Sequence, residues 1–236
     1  MSRVDRRAVV LLATVGILGL VGCTAGEPDP VPTPAHLSLE TFPPGEPATN
    51  GVEHLTGSDV LSEAISAIDD QPGMSFTLVY RDAVGAETTV VFAGRVGAAR
   101  AEISNADGTL DLVLGPTVGT ASGSGALGAS YDLDDSPVCR TAFDPVFDDW
   151  GAFLDPGMLL RTLTARVELL RGGLAAGDPP TVDVILDAGS GTAGTLVVAA
   201  SGPALPVRLV LADETGSAVL DVTGWADAAV EVPDGC

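Results

Sequence analysis

The sequence predicts an α+β protein in which an antiparallel β-sheet curves around helices. Three observations carry that expectation. Short runs rich in β-branched and aliphatic residues recur along the chain, separated by turns bearing Gly, Asp, Asn and Pro. Two other segments, around Val60 and around Leu160, place apolar residues at helical spacing instead. Apolar residues make up 46% of the chain but aromatics only 4%, so the core must be built from Val, Leu, Ala and Ile. Such side chains fill the space between a sheet and helices less readily than aromatics do. That leaves two outcomes open, an internal apolar cavity or a thin, well-packed core.

Taken in order, the chain opens with Arg3, Arg6 and Arg7, followed by an apolar run from Ala8 to Leu20. This has the form of a signal peptide, residues 1–22, and is too short for a comfortable membrane span of roughly 20 apolar residues. Leu20-Val21-Gly22-Cys23 looks like the lipobox of bacterial lipoproteins. Small residues before the cut admit a peptidase, and the thiol after it can carry a diacylglyceryl thioether. Cys23 is therefore the expected lipidation site, with palmitate-type acyl chains and a location on the extracytoplasmic face of the cell membrane. Two or three chains on one cysteine are what stable anchoring requires. The pair Arg6-Arg7 leaves Sec and Tat export both open. Residues 23–54 then read as a lipidated, Pro-rich tether, since proline at this density forms neither helix nor central strand. His36 and His54, isolated from each other, do not make a metal site.

Residues 55–236 read as one domain. Thr56-Gly57-Ser58 starts a helix whose Val60, Leu61, Ala64, Ile65 and Ile68 share one face, and Pro72-Gly73 ends it. Strands are expected over 74–82, 88–94, 98–104 and 109–114, the last two joined by the Asn105–Gly108 turn. A glycine- and serine-rich stretch from Gly115 to Gly128 carries no element, and 129–134 reads as a further strand. Asp155-Pro156 opens a second helix with Leu160, Leu163, Val167 and Leu170 as its stripe and Gly172-Gly173 as its stop. After Asp178-Pro179-Pro180, a β-meander follows over 181–187, 194–200, 207–212, 218–222 and 229–232.

Charge narrows the partners. From Cys23 onward the chain has 8 Arg against 31 Asp and Glu, a balance of −23, and no lysine. Nucleic acid, which is bound through cationic neutralisation, is excluded, and so is direct electrostatic docking on anionic lipid. The carboxylates of Asp132, Asp134, Asp135, Asp144, Asp148 and Asp149 lack calcium-loop spacing and read as solvated surface; no metal is expected. With Cys23 assigned to lipid, Cys139 and Cys236 remain in an oxidising compartment and most simply pair; two separate thiols are the alternative.

Several C-terminal segments carry a resemblance. Leu154-Asp155-Pro156-Gly157-Met158-Leu159-Leu160 opens a helix, Gly202-Pro203-Ala204-Leu205-Pro206-Val207-Arg208-Leu209-Val210-Leu211 forms a strand, and Leu220-Asp221-Val222-Thr223-Gly224-Trp225 leads to Val230-Glu231-Val232-Pro233. Together they resemble the LppX/LprAFG-type lipoproteins of mycobacteria and relatives, over roughly residues 55–233. The lack of lysine and the Ala, Gly, Val and Asp bias suit a GC-rich actinobacterial genome. Residues 115–128 and 139–149 match nothing in that family, and Cys236 is unusual for it. The resemblance implies a LolA/LppX-like half-barrel, a strongly curved antiparallel sheet with helices on its concave face. It further implies acyl chains of a lipid or glycolipid held between sheet and helices, for transport in the cell envelope. Val60, Ala64, Ile65 and Ile68 of the first helix and Leu160, Leu163 and Val167 of the second are then the lining residues; plain core packing is the alternative for each.

No Gly-x-Ser-x-Gly elbow, zinc spacing or phosphate loop occurs, and Asp148-Asp149 beside Trp150 reads as a polar loop against an aromatic rather than a glycosidase pair. The expectation is a non-enzyme without cofactor. A lipid carrier and an accessory lipoprotein that binds an envelope protein partner both remain in play.

Overall fold

The computed structural model describes residues 49–226 together with Val230 and Cys236. Among the described residues eleven antiparallel strands form one unclosed sheet. Strands β1 (Met74–Asp82), β2 (Glu87–Arg95), β3 (Ala98–Asn105), β4 (Gly108–Leu114), β5 (Val118–Ser124) and β6 (Val138–Thr141) step outward one after another. Residues 142–167 then cross to the opposite edge. There β7 (Glu168–Ala175), β8 (Thr181–Asp187), β9 (Thr192–Ala199), β10 (Pro206–Asp213) and β11 (Gly216–Gly224) step back inward, until β11 pairs with β1. The expected α+β architecture, a curved antiparallel sheet with helices on one side, is what the chain adopts.

The strands alternate because one face is buried and the other solvated. Val182, Val184 and Leu186 of β8 are fully buried while Thr181, Asp183, Ile185 and Asp187 are not. Register breaks at Ser75/Phe76, Arg171/Leu174, Leu186/Asp187 and Pro206/Arg208 are bulges, which raise local twist and bend the strands that carry them. Phe76 and Phe92, cross-strand partners, stack at 4.7 Å between ring centroids in the centre of the core. They are two of the few aromatics available, placed where the most space must be filled.

Helix α1 (Gly57–Asp69) lies over β7 and β8. Its first turn is capped by Thr56, whose Oγ1 accepts from the Asp59 amide at 3.2 Å. Gly57 has to be glycine because a Cβ there would sit 2.4 Å from the Leu169 carbonyl oxygen. Short helices α2 (Gly125–Ala129) and α3 (Pro145–Asp149), a 3-10 turn over Gly151–Leu154, and α4 (Pro156–Thr164) complete the covering layer. Asp155 caps α4, its Oδ1 accepting from Met158 N at 2.8 Å, with Pro156 in the first turn.

Four expectations need correction. The glycine- and serine-rich stretch contains β5, buried on both faces. Gly119 and Gly123 are small because Phe147 of α3 and Gly128 of α2 rest directly on the strand; a Cβ on Gly119 would lie 2.7 Å from the Phe147 ring. Residues 129–134 form the end of α2 and a turn with Asp132 at positive φ, not a strand. The second helix stops at Thr164. Thr162 and Thr164 turn their hydroxyls back onto the Met158 and Leu160 carbonyls, both at 2.8 Å, a bond that weakens helix continuation. Consequently Val167 lies in the link, Leu170 belongs to β7, and Gly172-Gly173 is a bulge within that strand rather than a helix stop. Finally, β6, α3 and the 3-10 turn over 151–154 fall where no element was expected.

Residues 50–52 also pack on the body. Asn50 Nδ2 donates to the Ala199 and Gly202 carbonyls, both at 3.0 Å, and Val52 is buried. A hydrogen bond from the Thr49 hydroxyl holds the Glu53 carboxyl below its ordinary pKa. At the other end, Cys236 is joined to Cys139 of β6 by a disulfide. The signal peptide, Cys23, and the expected strand over 229–232, Val230 aside, lie outside the described residues. No described helix is long and apolar enough to cross a membrane.

Candidate functional site

Where α1 meets the sheet the two surfaces interlock. Where α4 and the preceding 3-10 turn meet it they do not, and a cleft of about 510 Å³ remains. One wall comes from Ala152 and Phe153 of the turn and Leu159, Leu163 and Ala165 at α4. The opposite wall comes from Leu78 and Tyr80 of β1, Leu211 of β10, and Gly216 and Ala218 of β11. The space exists for a steric reason. Gly216 and Ala218 are small, and β1 and β11 pair Tyr80 with Ala218, so one side of the cleft floor has almost no side chain. Phe153 is held from behind by Trp150, with ring centroids 5.6 Å apart. Trp150 in turn donates Nε1–H to Tyr131 Oη at 3.1 Å, and Tyr131 donates to Asp149 Oδ2 at 3.0 Å. Burial and the Asp149 hydrogen bond both raise the Tyr131 pKa, so the phenol stays protonated and keeps that chain of donors intact.

The mouth of the cleft is polar. Thr162, Arg166, Asp213 and Thr215 ring it. Asp213 Oδ1 accepts from both the amide (2.7 Å) and the hydroxyl (2.6 Å) of Thr215, and these bonds hold its carboxyl below the ordinary value. Beyond the mouth lies a second, polar cleft of about 510 Å³, lined by the 188–192 turn and by Glu214, which shares Arg166, Asp213 and Thr215 with the first. A third cleft, about 430 Å³, sits at the other end of β1 between Ile68, Met74, the Arg95–Ala98 turn and Pro156.

The residues expected to line an acyl-chain site separate into distinct groups. Val60 and Ala64 are fully buried in the core, as is Leu160. Ile65 and Ile68 are core residues too, with Ile68 reaching the third cleft. Leu163 alone of the seven borders the apolar cleft described here. Val167, in the link after α4, packs half-buried against the core. Leu78, Tyr80, Phe153, Leu211 and Ala218 were not singled out from sequence. For Leu78 and Tyr80 a signal exists, since inward alternation from Phe76 puts both on the concave face; Phe153, in a segment with no periodicity, offers none.

Two of the clustered carboxylates serve the backbone. Asp144 caps α3 through Val146 N and pairs with Arg140 at 3.5 Å, and Asp134 accepts from Ser136 N at 2.8 Å. Among the described residues no group of His, Cys, Asp and Glu is arranged to hold a metal ion.

Fold and site together define an open, antiparallel half-barrel with helices on its concave side and an apolar cleft under one of them. No family model and no curated protein matches the chain. Solved structures similar to it include two mycobacterial lipoproteins of the LppX/LprG type that the sequence resembles. LppX of Mycobacterium tuberculosis is 17% identical over 75% of this chain and 99% of its own, with a TM-score of 0.44. LprF of Mycobacterium bovis is 15% identical over 75% and 96%, with a TM-score of 0.42. The MucA/MucB complex of Pseudomonas aeruginosa is also similar, at 20% identity over 75% of this chain and 61% of that one, with a TM-score of 0.37.

Proposed function

We propose that the chain is an extracytoplasmic lipoprotein, anchored to the cell membrane through lipid on Cys23, that binds the acyl chain of a lipid or glycolipid for envelope transport without catalysing a reaction. In this reading residues 1–22 are removed on export and the Pro-rich segment holds the body off the bilayer. The observation that carries the reading is the apolar cleft beneath α4. Its volume falls within the range of about 300–1,000 Å³ typical of small-ligand sites, and Leu78, Phe153, Leu159, Leu163 and Leu211 supply its walls. Burying ten methylenes contributes about 8 kcal/mol, which association costs of about 4–15 kcal/mol largely offset. A tail alone would thus bind weakly, and the polar mouth is needed to hold the rest of the molecule. The test is mass spectrometry of the chain purified from its native host, followed by addition of lipid to the delipidated protein. Co-purified lipid, displaced in a Leu163→Trp variant that fills the cleft, is the expected result; no lipid in either arm overturns the reading. For the anchor, a Cys23→Ser change should abolish incorporation of labelled fatty acid, and retained label would refute it.

One observation favours a second reading, an accessory lipoprotein with an envelope protein partner. On the solvated face, Leu170, Ile185, Val210, Val219 and Val79 fall into one cross-strand row with Thr195, and Leu170 and Val210 are exposed. A Leu170→Asp, Val210→Asp double change that leaves lipid uptake intact but abolishes the function of the protein in its host would favour this reading over the first.

A further inference from the structure

The mouth of the apolar cleft holds one arginine, Arg166, whose guanidinium makes no hydrogen bond with a described residue. The described residues contain eight arginines. Arg81 pairs with Glu87, Arg100 with Glu102 and Asp111, Arg140 with Asp144, and Arg208 with Asp221, while Arg171 donates to the Glu53 carbonyl. Arg95, Arg161 and Arg166 make no hydrogen bond and no close ion pair with a described residue; of these three only Arg166, two residues past the end of α4, borders the apolar cleft. Asp213, on the same rim, gives Oδ1 to the amide and hydroxyl of Thr215; the Arg166 charge helps to hold its carboxyl low, but the two form no close ion pair. A guanidinium presents five donors in a planar fork that matches a carboxylate or phosphate. Here that fork stands where the apolar cleft opens into the polar one, the point at which the head of an amphiphile must sit once its tail is inside. Thr162 and Thr215 border the same opening.

We propose that Arg166 is the headgroup-binding residue of this site and that the preferred ligand carries an anionic group, a carboxylate or a phosphate, at the end of its acyl tail. The inference rests on the acyl-chain reading above. Glu214 and the overall negative charge oppose long-range attraction of such a ligand, so the selectivity comes from direct contact at Arg166 and not from steering.

The test uses the purified full chain and three probes with the same tail, namely palmitate, its methyl ester and hexadecyl phosphate, each below its aggregation threshold and measured by calorimetry. At least one anion should bind about tenfold more tightly than the ester, the gain expected of one hydrogen-bonded charge. Preference for palmitate alone assigns a carboxylate, and preference for hexadecyl phosphate alone assigns a phosphate. Arg166→Gln should bring the affinity ratio of anion to ester close to one, while Arg166→Lys keeps part of it. If the ester binds the unaltered chain as tightly as both anions, or the Gln variant keeps the preference, the headgroup assignment is wrong while the acyl-chain reading stands. If none of the three probes binds, the acyl-chain reading itself fails and this assignment with it.

Discussion

Helices α1 and α4 are built alike and end up doing opposite things. Each opens on a side-chain cap, each carries an aliphatic stripe, and each lies on the same side of the sheet. Yet α1 seals the core, with Val60 and Ala64 wholly excluded from solvent, and α4 stands off the sheet so that Leu163 borders open space. The difference lies in what faces them. Beneath α1 the sheet offers Val182, Val184 and Leu186 of β8, whereas beneath α4 the wall of Leu78, Tyr80 and Leu211 is interrupted by Gly216 and Ala218. An amphipathic stripe therefore says that a helix has a partner surface, and the residues across from it decide whether the contact is solid or hollow.

The largest effect should separate the two stripes directly. Ile65→Ala removes a buried side chain from a surface that cannot collapse, at a cost of about 2–5 kcal/mol. Leu163→Ala, at the edge of an existing cleft, should cost under about 1 kcal/mol, because little new cavity is made. Urea unfolding of the two variants decides the matter. Equal losses would mean that α4 is packed as tightly as α1, and the cleft would lose its standing.

The two edges of the sheet differ in the same way. Strand β7 is held down by α1, whose Gly57 abuts the Leu169 carbonyl. At the opposite edge β6 has only four residues, and there the disulfide from Cys139 to Cys236 closes a loop across 97 residues of sequence. Changing both cysteines to serine should cost about 2–4 kcal/mol, read as a lower denaturation midpoint in non-reducing buffer. No change would show that pairing with β5 suffices to hold β6.

Much of this frame was legible in the sequence, and the failures have identifiable causes. Strand β1 was expected over the residues it occupies, because Met74 to Asp82 combines apolar alternation with a Pro-Gly break before it and a turn after it. The cap at Asp155 was equally clear. Strand β5 was missed because buried strands normally advertise themselves with large β-branched residues, and this one uses glycine, alanine and serine to let two short helices lie on it. The end of α4 was missed because Gly172-Gly173 has two meanings, helix stop or strand bulge, and only pairing with β8 chooses between them. The cleft was the least legible feature. It is made of absent side chains on β11, and which strands face α4 depends on a crossover of the whole sheet that no local pattern encodes.

A third measurement asks whether the helices differ in their own right. Thr56→Ala and Asp155→Ala each remove a side-chain acceptor from a first-turn amide, and each should cost about 1 kcal/mol. Similar losses in chemical denaturation would place the contrast between α1 and α4 in what faces them, as argued above. A much larger loss at Asp155 would mean that α4 is only marginally formed and that the cleft reflects a weak helix.

The smallest expected effect is at the mouth of the cleft and depends on pH. Hydrogen bonds from the Thr215 amide and hydroxyl stabilise the ionised form of Asp213 and lower its pKa in the folded chain. A carboxyl with a depressed folded pKa contributes stability that is present above its ordinary value, 3.8, and is lost as the pH falls through the lower folded value. Acid should therefore loosen the β10–β11 turn, and with it the rim shared by the two clefts, while leaving no mark on stability near neutrality. Thr215→Val removes the hydroxyl but keeps the amide, so the Asp213 carboxyl should titrate closer to its ordinary value in carbon-detected NMR. A titration identical in the variant would show that the amide alone holds Asp213, and that the hydroxyl of Thr215 is free to face whatever occupies the mouth of the cleft.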